Sequence, residues 1–391
     1  MSFTYLLLIL TISWRGEKLV TSLVAYDRRN RPFSAGTNLR QTSSKCLPMR
    51  VAVVGNMISD DAEISCDHQP SFLDQVDLTV ENVLSAFRPD ENIMELEPSQ
   101  REALCVARRI NSRLQGLSTN GDCRRCWLQQ AHCICDQIPP LETDETNTLL
   151  RLANVNRMFL VTHHKEIGMV VDTAKILLAA FPVSARLVIN GIGCDYQNSM
   201  VELMEAFQQK QRKCLVLFPS ECAKTVDEIF PREDKWKRQV CEEKRFDLCA
   251  KDLGGGVDVV VLDGTWAQAR KMYSRHVPLE SNGGPIRVCL SEEVIQNLGN
   301  KNIIPGAGNQ ITSNGRQLRR HSIKWKEIST FEATRLFLND MNRVSRENDL
   351  QESSKSILKG AEYLERLSDY LNIANIAATK QLGPPRLKEK V

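Results

Sequence analysis

The chain lacks the long apolar segment that a membrane-spanning helix requires. Its one long apolar run, residues 3–14, is shorter than the roughly 20 residues that cross a bilayer, and no basic residues precede it as in a secretory signal. We therefore expect no membrane anchor and no membrane partner. The chain also has no large excess of one charge sign, because its 51 lysines and arginines are nearly balanced by 48 aspartates and glutamates. Any basic surface must therefore be local.

The sequence also has none of the common nucleotide-binding loops. No G-x-G-x-x-G follows the apolar residues 51–54, and no Walker A sequence occurs. The glycines at 254–256 precede a strand pattern instead of joining a strand to a helix. Internal repeats are absent. The 42% hydrophobic and 25% charged residues are ordinary for a folded protein and exclude a wholly disordered chain.

The cysteines do not form the dense framework of a small secreted domain. There are 13, an odd number, and most lie singly along the chain, which favours a reducing, intracellular compartment. The first fifty residues are rich in serine, threonine and arginine and poor in acidic residues, as in an organellar transit peptide or a poorly ordered extension. We expect an intracellular, soluble protein of the cytoplasm or nucleus, with a mitochondrial or plastid location left open by the N-terminus.

Short apolar runs alternate with helical patterns from residue 98 onward. The runs predict strands at residues 158–161, 185–189, 214–218, 257–262 and 286–290. Helical spacing predicts helices at residues 98–113, 168–181, 201–211, 265–275 and, as a charged insertion, 234–253, followed by a C-terminal docking helix around 357–371. Such alternation predicts an α/β fold with a parallel twisted sheet and helices on both faces.

Polar residues follow four of the predicted strands, at positions 162–165, 190–193, 219–221 and 263–266. The carboxyl ends of parallel strands meet at one edge of the sheet, where helix N-termini and loop amides converge and ligands bind. We therefore expect these four loops to form one pocket.

A cluster of cysteines has the spacing of a metal site. Within thirteen positions, as C-x2-C-x6-C-x-C, the chain carries Cys123, Cys126, Cys133 and Cys135. Thiolates at this spacing can surround one tetrahedral Zn²⁺ and stabilise a segment too small for its own core; four protein ligands make such a site structural. The alternatives are unrelated buried thiols and a pair of disulfides, and His132 could replace one cysteine. Beside the cluster, RNA could be contacted by Arg124, Arg125 and Trp127.

One strand end places a carboxylate at the ligand edge. Asp263 ends the most apolar predicted strand, Gly264 allows a tight turn, and Thr265 can cap the helix that continues with Trp266. Two interpretations stay open at this point. In the first, the segment is a strand-to-helix turn with a capping residue and a packing tryptophan. In the second, the carboxylate of Asp263 acts on a bound ligand.

Taken in order, five motifs resemble the DTW-domain family, the tRNA-uridine aminocarboxypropyltransferases, and in particular its eukaryotic branch. They are the four cysteines, Thr162-His-His-Lys-Glu166, Leu217-Phe-Pro-Ser-Glu221, Leu262-Asp-Gly-Thr-Trp-Ala-Gln-Ala-Arg270 and Ile328-Ser-Thr-Phe-Glu-Ala333. The resemblance covers residues 120–340 or so, and the combination is more specific than any single motif. It implies a fold related to the knotted SPOUT methyltransferases, in which S-adenosyl-L-methionine (SAM) binds in a bent conformation.

The resemblance further implies transfer of the 3-amino-3-carboxypropyl group from SAM to N3 of a tRNA uridine, which forms acp3U and releases methylthioadenosine. The chain departs from the family pattern at Asp172, where relatives often place Asn before Thr173, and in the long insertion between Glu221 and Val257. These departures leave the substrate contacts open, and Asp172 receives no role here.

The implied reaction needs a base, because N3 of uridine carries a proton and is a poor nucleophile until that proton leaves. Asp263 is the candidate base, with Thr265 and Trp266 as its catalytic neighbours. Burial would raise the pKa of Asp263 and a bound sulfonium would lower it, so the sign of the net shift stays open. The expected SAM contacts are Gly191, Gly193, Phe218, Pro219, Ser220, Glu221, Leu262, Ser329, Thr330 and Glu332, although Ser329 with Glu332 also matches a capping box.

Local positive charge is expected to hold the tRNA. The expected RNA contacts are His163, Arg270, Lys271, Arg319 and Arg320. Two other functions stay open: methyl transfer from SAM to RNA, and a zinc-stabilised RNA-binding protein without turnover. The particular tRNA, the uridine and the oligomeric state do not follow from the sequence.

We divide the chain into four parts on these grounds. Residues 1–97 are an N-terminal extension, and residues 98–150 hold a helix and the zinc-binding segment. The DTW catalytic domain spans residues 151–340, and residues 341–391 are a C-terminal helix with a disordered tail.

Overall fold

The computed structural model describes residues 7–15, 18–26, 72–88, 92–142, 149–208, 213–231, 256–279, 284–295, 328–348 and 354–383. The chain divides into two compact units, Met1–Ile64 and Ser65–Val391. In the first unit, strands β1 (Leu7–Arg15) and β2 (Lys18–Tyr26) form an antiparallel hairpin. The apolar pattern at 51–54 and the predicted helix at 234–253 lie outside the described residues.

A five-stranded sheet forms the centre of the second unit. Its strands are β3 (Val155–His163), β4 (Ala185–Asn190), β5 (Lys213–Leu217), β6 (Val257–Asp263) and β7 (Ile286–Val288). They lie in the order β4-β3-β6-β5-β7, and every neighbouring pair is parallel. β6 is central and buried at all seven positions, which explains why its sequence is almost continuously apolar.

Besides one helical turn at residues 292–295, the described ranges of this unit contain nine α-helices. They are α1 (Phe72–Ala86), α2 (Pro98–Thr119), α3 (Leu149–Leu152), α4 (Ala174–Ala180), α5 (Asn198–Gln208), α6 (Val226–Ile229), α7 (Trp266–His276), α8 (Thr330–Asn348) and α9 (Ser354–Leu382). None of the helices searched in these ranges is long and apolar enough to cross a bilayer.

Alternate side chains of the central strands enter two separate cores. Met158 and Leu160 of β3 belong to a core that includes apolar residues of α2, α4, α8 and α9, whereas Phe159 and Val161 face a core built with α5 and α7. Both faces of the sheet are therefore covered, and the predicted α/β class with a parallel sheet is confirmed. The connection from β7 to α8 runs through residues 296–327, outside the described ranges, so the knotted SPOUT topology stays a prediction.

The predicted helix at 168–181 is shorter in the structure. α4 begins only at Ala174, and residues 164–173 are turns. The Asp172 carboxylate accepts a hydrogen bond from the Ala174 backbone N–H at 2.9 Å, so it satisfies a donor that the first turn of the helix leaves free. The long loop before α4 matters for the site, because it carries polar residues back over the carboxyl edge of the sheet.

Candidate functional site

The carboxyl edge of the sheet carries an aromatic cleft between β5 and β6. Phe218 follows β5, and Trp266 begins α7 directly after β6. Their rings lie 5.3 Å apart at an interplanar angle of 10°, and Tyr273 stacks on Phe218 at 4.3 Å. The walls of the cleft are Leu217, Phe218, Pro219, Val261, Leu262, Gly264, Trp266, Ala269, Ile328, Thr330 and Ala333. Flat aromatic and apolar walls of this kind suit a planar heterocycle such as adenine.

The turn between β6 and α7 is held by a capping box. The Thr265 hydroxyl accepts from the Gln268 N–H at 3.4 Å, and the Gln268 side-chain oxygen accepts from the Thr265 N–H at 2.6 Å. Gly264 adopts a φ of +153°, and a Cβ there would lie 3.0 Å from the Gln268 Oε1. The turn therefore requires glycine. Thr265 is engaged in the cap, which is the structural one of its two interpretations.

Asp263 lies beneath this turn, with only 5% of its surface exposed. Its Oδ2 is buried and has no hydrogen-bond partner in the described part of the chain. The same is true of the hydroxyl of Thr162, which pairs with Asp263 in the register of β3 and β6. Buried polar atoms without partners are costly in a protein interior unless a ligand or water meets them.

Asp263 forms a buried acid pair with Asp172. The two side chains lie close enough for each carboxyl to act on the pKa of the other, and Asp172 is only 6% exposed. Burial and the negative charge of Asp172 raise the pKa of Asp263 well above its ordinary value, although the Thr330 hydroxyl opposes the shift by donating to Asp263. Burial likewise raises the pKa of Asp172 to about 6, against the opposing effect of Lys175.

Lys175 connects the acid pair with the cysteine segment. Its side chain is 3% exposed, and its ammonium donates to the Val170 carbonyl at 2.9 Å. The same ammonium lies 5.1 Å from the centre of the Trp127 ring, close enough for a cation–π contact. Trp127 is itself 2% exposed, so the expectation that it touches RNA is wrong: the ring packs inside the protein.

The four cysteines come together as the spacing predicts. Their sulfur atoms all lie within 4.8 Å of one another, with 3.6 Å between Cys123 and Cys135 and 3.8 Å between Cys126 and Cys133. A tetrahedral zinc site with Zn–S bonds of about 2.3 Å has sulfur atoms about 3.8 Å apart, whereas a disulfide has sulfurs about 2 Å apart. All four thiols are free. The donor set and its dimensions fit a structural Zn²⁺, and the cluster could hold such an ion.

The other expected SAM contacts lie in different surroundings. Ser329 accepts from the Glu332 N–H at 3.2 Å, and the Glu332 carboxylate pairs with Arg335, so both belong to the start of α8. Gly191 follows the edge strand β4 with a φ of +97°, and a Cβ there would come within 2.9 Å of Val106 on α2. Ser220 and the exposed Glu221 follow the cleft residue Pro219. Neither Gly191 nor Gly193 lines the aromatic cleft.

Basic side chains surround His163 on the outer side of the turn. His163 accepts at Nδ1 from the Lys165 N–H at 3.2 Å, so its own proton lies on Nε2. His164 accepts from the Arg109 guanidinium at 2.7 Å. Burial, and then the charges of His164, Lys165, Arg109 and Lys271, lower the pKa of His163 to about 4. His163 is therefore neutral at physiological pH, and the positive charge at this site comes from its neighbours.

The cations around this edge are open to a ligand. Four basic side chains are exposed here: Arg109, Lys165, Arg270 and Lys271. Within the described ranges, none of these four forms an ion pair. Arg270 lies over the Trp266 ring at 6.0 Å. Arg319 and Arg320, the other expected RNA contacts, lie outside the described residues.

Three residues that the structure places at this site have no role predicted from the sequence, namely Asp172, Lys175 and Arg109, whereas Thr162 belongs to one of the four loops expected to form the pocket. The local signal is weak, because Asp172 and Lys175 lie three positions apart within the helix predicted at 168–181. Their contacts with Asp263 and Trp127 depend on the tertiary fold.

Comparison with known proteins gives one match. The family model described as "DTW domain" matches residues 120–373, which is more than half of the chain. No curated protein matches the chain, and no solved structure does.

Proposed function

Because the chain belongs to the DTW-domain family, which includes tRNA-uridine aminocarboxypropyltransferases, we propose that it transfers the 3-amino-3-carboxypropyl group of SAM to N3 of a uridine in tRNA. Membership of the family supports a role in tRNA modification. The observation that carries the finer proposal is the buried carboxyl of Asp263 at the carboxyl end of a parallel strand, between Leu262 and Gly264, which both line the aromatic cleft.

The cleft is proposed to hold the co-substrate. SAM supplies a positively charged sulfonium whose propyl carbon is open to attack by a nucleophile. The Phe218 and Trp266 rings would hold the adenine, with Pro219, Leu262 and Thr330 closing the cleft. Asp263, between the cleft residues Leu262 and Gly264, would turn its partnerless Oδ2 toward the sulfonium. Gly191, Gly193, Glu221, Ser329 and Glu332 have other contacts or positions, so we give them no direct role.

Asp263 is proposed to accept the N3 proton of the uridine. As that proton moves to the carboxylate, the N3–carbon bond forms and the carbon–sulfur bond breaks, and methylthioadenosine leaves. A positioned base typically contributes about 10²- to 10⁴-fold to such a step. Selection of the propyl carbon over the methyl carbon requires only that the pocket orient the sulfonium. In this proposal Thr265 acts through the cap that fixes Gly264 and Asp263.

The tRNA is proposed to lie across the basic side chains around His163. Phosphate groups would be contacted by the cationic side chains of Lys165, Lys271, Arg270 and Arg109. The neutral His163 would donate a hydrogen bond from Nε2 to the RNA. The zinc proposed at the four cysteines has no open coordination position, so it would stabilise the segment that packs on Lys175.

Incubation of the protein with SAM and total tRNA tests the proposal. Nucleoside mass spectrometry should detect acp3U together with released methylthioadenosine. Asp263→Asn should abolish both products, while Asp340→Asn, which changes a buried aspartate on α8, should retain them.

Other products would overturn the proposal. Release of S-adenosylhomocysteine with a methylated nucleoside would identify an RNA methyltransferase. Binding of tRNA with no SAM-derived product from any tRNA would identify a non-catalytic zinc-stabilised RNA-binding protein.

A further inference from the structure

Two carboxyl groups that touch inside a protein do not both ionise easily. Asp172 and Asp263 interact directly, and each is more than nine-tenths buried. Glu166, on the same loop as Asp172, adds a third negative charge nearby. Removal of water strengthens the repulsion between like charges. The pair therefore retains a proton over a pH range in which a solvated aspartate has lost it.

The surroundings of the two carboxyls are unequal. Asp172 accepts a hydrogen bond from the Ala174 N–H, and the positive charge of Lys175 acts on it as well; both effects favour its ionised form. Asp263 receives only the Thr330 hydroxyl and leaves Oδ2 without a partner in the described structure. The charged and polar groups near the pair include Glu166 from the loop, Lys175 from α4, Thr330 from α8 and Thr162 from β3. The negative charge is better stabilised on Asp172, and the proton on Asp263.

We propose that Asp172 is a positioning residue that keeps Asp263 protonated in the resting protein, so that the two carboxyls together carry one proton and one negative charge. The consequence for catalysis rests on the function proposed above. Before Asp263 can accept the uridine proton, its own proton must leave to solvent. A cation in the adjoining cleft favours that loss, so the base would become available when the positively charged co-substrate is present.

Carboxyl ¹³C NMR of aspartate-labelled protein, without SAM or tRNA, tests the resting state. One signal of the wild type should keep the chemical shift of a protonated carboxyl at neutral pH and should disappear in Asp263→Asn. In Asp172→Asn the same signal should titrate at least one pH unit lower, because the neighbouring negative charge is gone. Asp340→Asn removes a different aspartate whose pKa is also raised, to about 6, and should leave the signal unchanged. Titration of Asp263 near pH 4 in the wild type, or at equal pH in both proteins, would overturn the proposal.

The pH dependence of methylthioadenosine release tests the catalytic consequence. The acid limb of the wild-type profile should move to lower pH in Asp172→Asn by about the shift that NMR measures, and Asp340→Asn should keep the wild-type limb. An unmoved limb together with an NMR shift would show that Asp172 sets the protonation of Asp263 without a role in turnover, and would overturn this part. If no tRNA yields product, the proposed function fails, whereas the NMR result still decides the protonation of the pair.

Discussion

Asp263 is buried because it ends a strand that has neighbours on both sides and helices on both faces. Only a few hydrogen bonds replace the water that its carboxyl gives up on folding. A group in such a place reduces the stability of the ionised protein. The acid pair is therefore expected to be a source of instability that the rest of the fold offsets, as is common at functional sites.

The acid pair should make the free energy of unfolding decrease as the pH rises from about 4 toward the raised pKa values of the folded pair. The folded protein keeps a proton on the pair, because the pKa of Asp263 is raised well above its ordinary value and that of Asp172 to about 6, whereas the unfolded chain loses its protons near pH 4. Between these limits each pH unit removes up to about 1.4 kcal/mol of stability per proton retained. Asp263→Asn should reduce this loss, so that the variant is more stable than the wild type at pH 8 but not at pH 4.

Urea unfolding at pH 4, 6 and 8 measures the effect. Asp195→Asn changes an exposed aspartate and should follow the wild-type curve. Equal pH dependence in Asp263→Asn and the wild type would show that the carboxyl is ionised in the folded protein.

The acid pair also shows the limit of sequence analysis at the scale of the residue. Asp263 was found because it ends an apolar strand, which is a local pattern. Asp172 stands out in the sequence only as a departure from the family pattern, because nothing near it in sequence shows that the loop 164–173 brings it close to Asp263 at the end of β6. The sequence allows Thr265 to be a helix cap or a catalytic neighbour of Asp263, and the hydrogen bonds with Gln268 show that it caps the helix.

At the scale of the element, apolar runs predicted the five parallel strands to within about three residues at each end. The reason is physical: a parallel strand buried on both faces has an apolar side chain at nearly every position. Helix boundaries were less well predicted. α4 begins six residues after the predicted start, because the polar loop before it contains apolar residues with helical spacing, Val170 among them.

The cysteine segment is an element whose stability should depend on metal. Residues 120–138 contain short turns, one isolated antiparallel bridge between Asp122 and Gln129, and two 3₁₀ segments, Gln130–His132 and Cys135–Gln137. If Zn²⁺ holds the four sulfurs, Cys126→Ser should lose the metal and several kcal/mol of stability, since binding and folding of such segments are coupled. Metal content measured by mass spectrometry and thermal unfolding with and without chelator check this.

Cys105→Ser provides the matched control for that experiment. Cys105 is an exposed free thiol on α2, and its replacement should change neither the metal content nor the melting temperature. Chelator should lower the melting temperature of the wild type and of Cys105→Ser but not that of Cys126→Ser. Purified wild type without bound metal, or with a melting temperature unaffected by chelator, would contradict the zinc assignment.

At the scale of the whole molecule, the strand order decides which loops meet. The polar residues after four strands predict that four loops form one pocket, but a local pattern does not specify the order of the strands in the sheet. β3 and β6 are neighbours at the centre, so the turns after them bring His163 and Gly264 together, whereas β4 lies at the edge and its loop packs on α2. Pairing between strands far apart in sequence leaves no local pattern, which is why Gly191 was grouped with the cleft.

The same order places exposed cations from three elements around the turn after β6, and this arrangement predicts how tRNA binds. Lys165 follows β3, Lys271 lies on α7 and Arg109 on α2, and all three charges act on His163. Replacing Lys165 and Lys271 together by alanine should raise the KM for tRNA about tenfold. It should also reduce the slope of log affinity against log salt by about 0.7 to 0.9 for each phosphate that the protein no longer neutralises.

Binding of labelled tRNA at several salt concentrations measures that slope without requiring turnover. The control removes the same charge from a different helix: Lys359 and Lys380 of α9 are exposed, and their double alanine variant should keep the wild-type affinity and slope. An equal reduction of affinity and salt slope in both double variants would indicate general attraction between cations and RNA, without a specific RNA-binding surface beside the cleft. A reduction confined to the Lys165 and Lys271 variant would place the RNA backbone next to Gly264, because His163, which these lysines flank, lies within 3.3 Å of the position of a Cβ there.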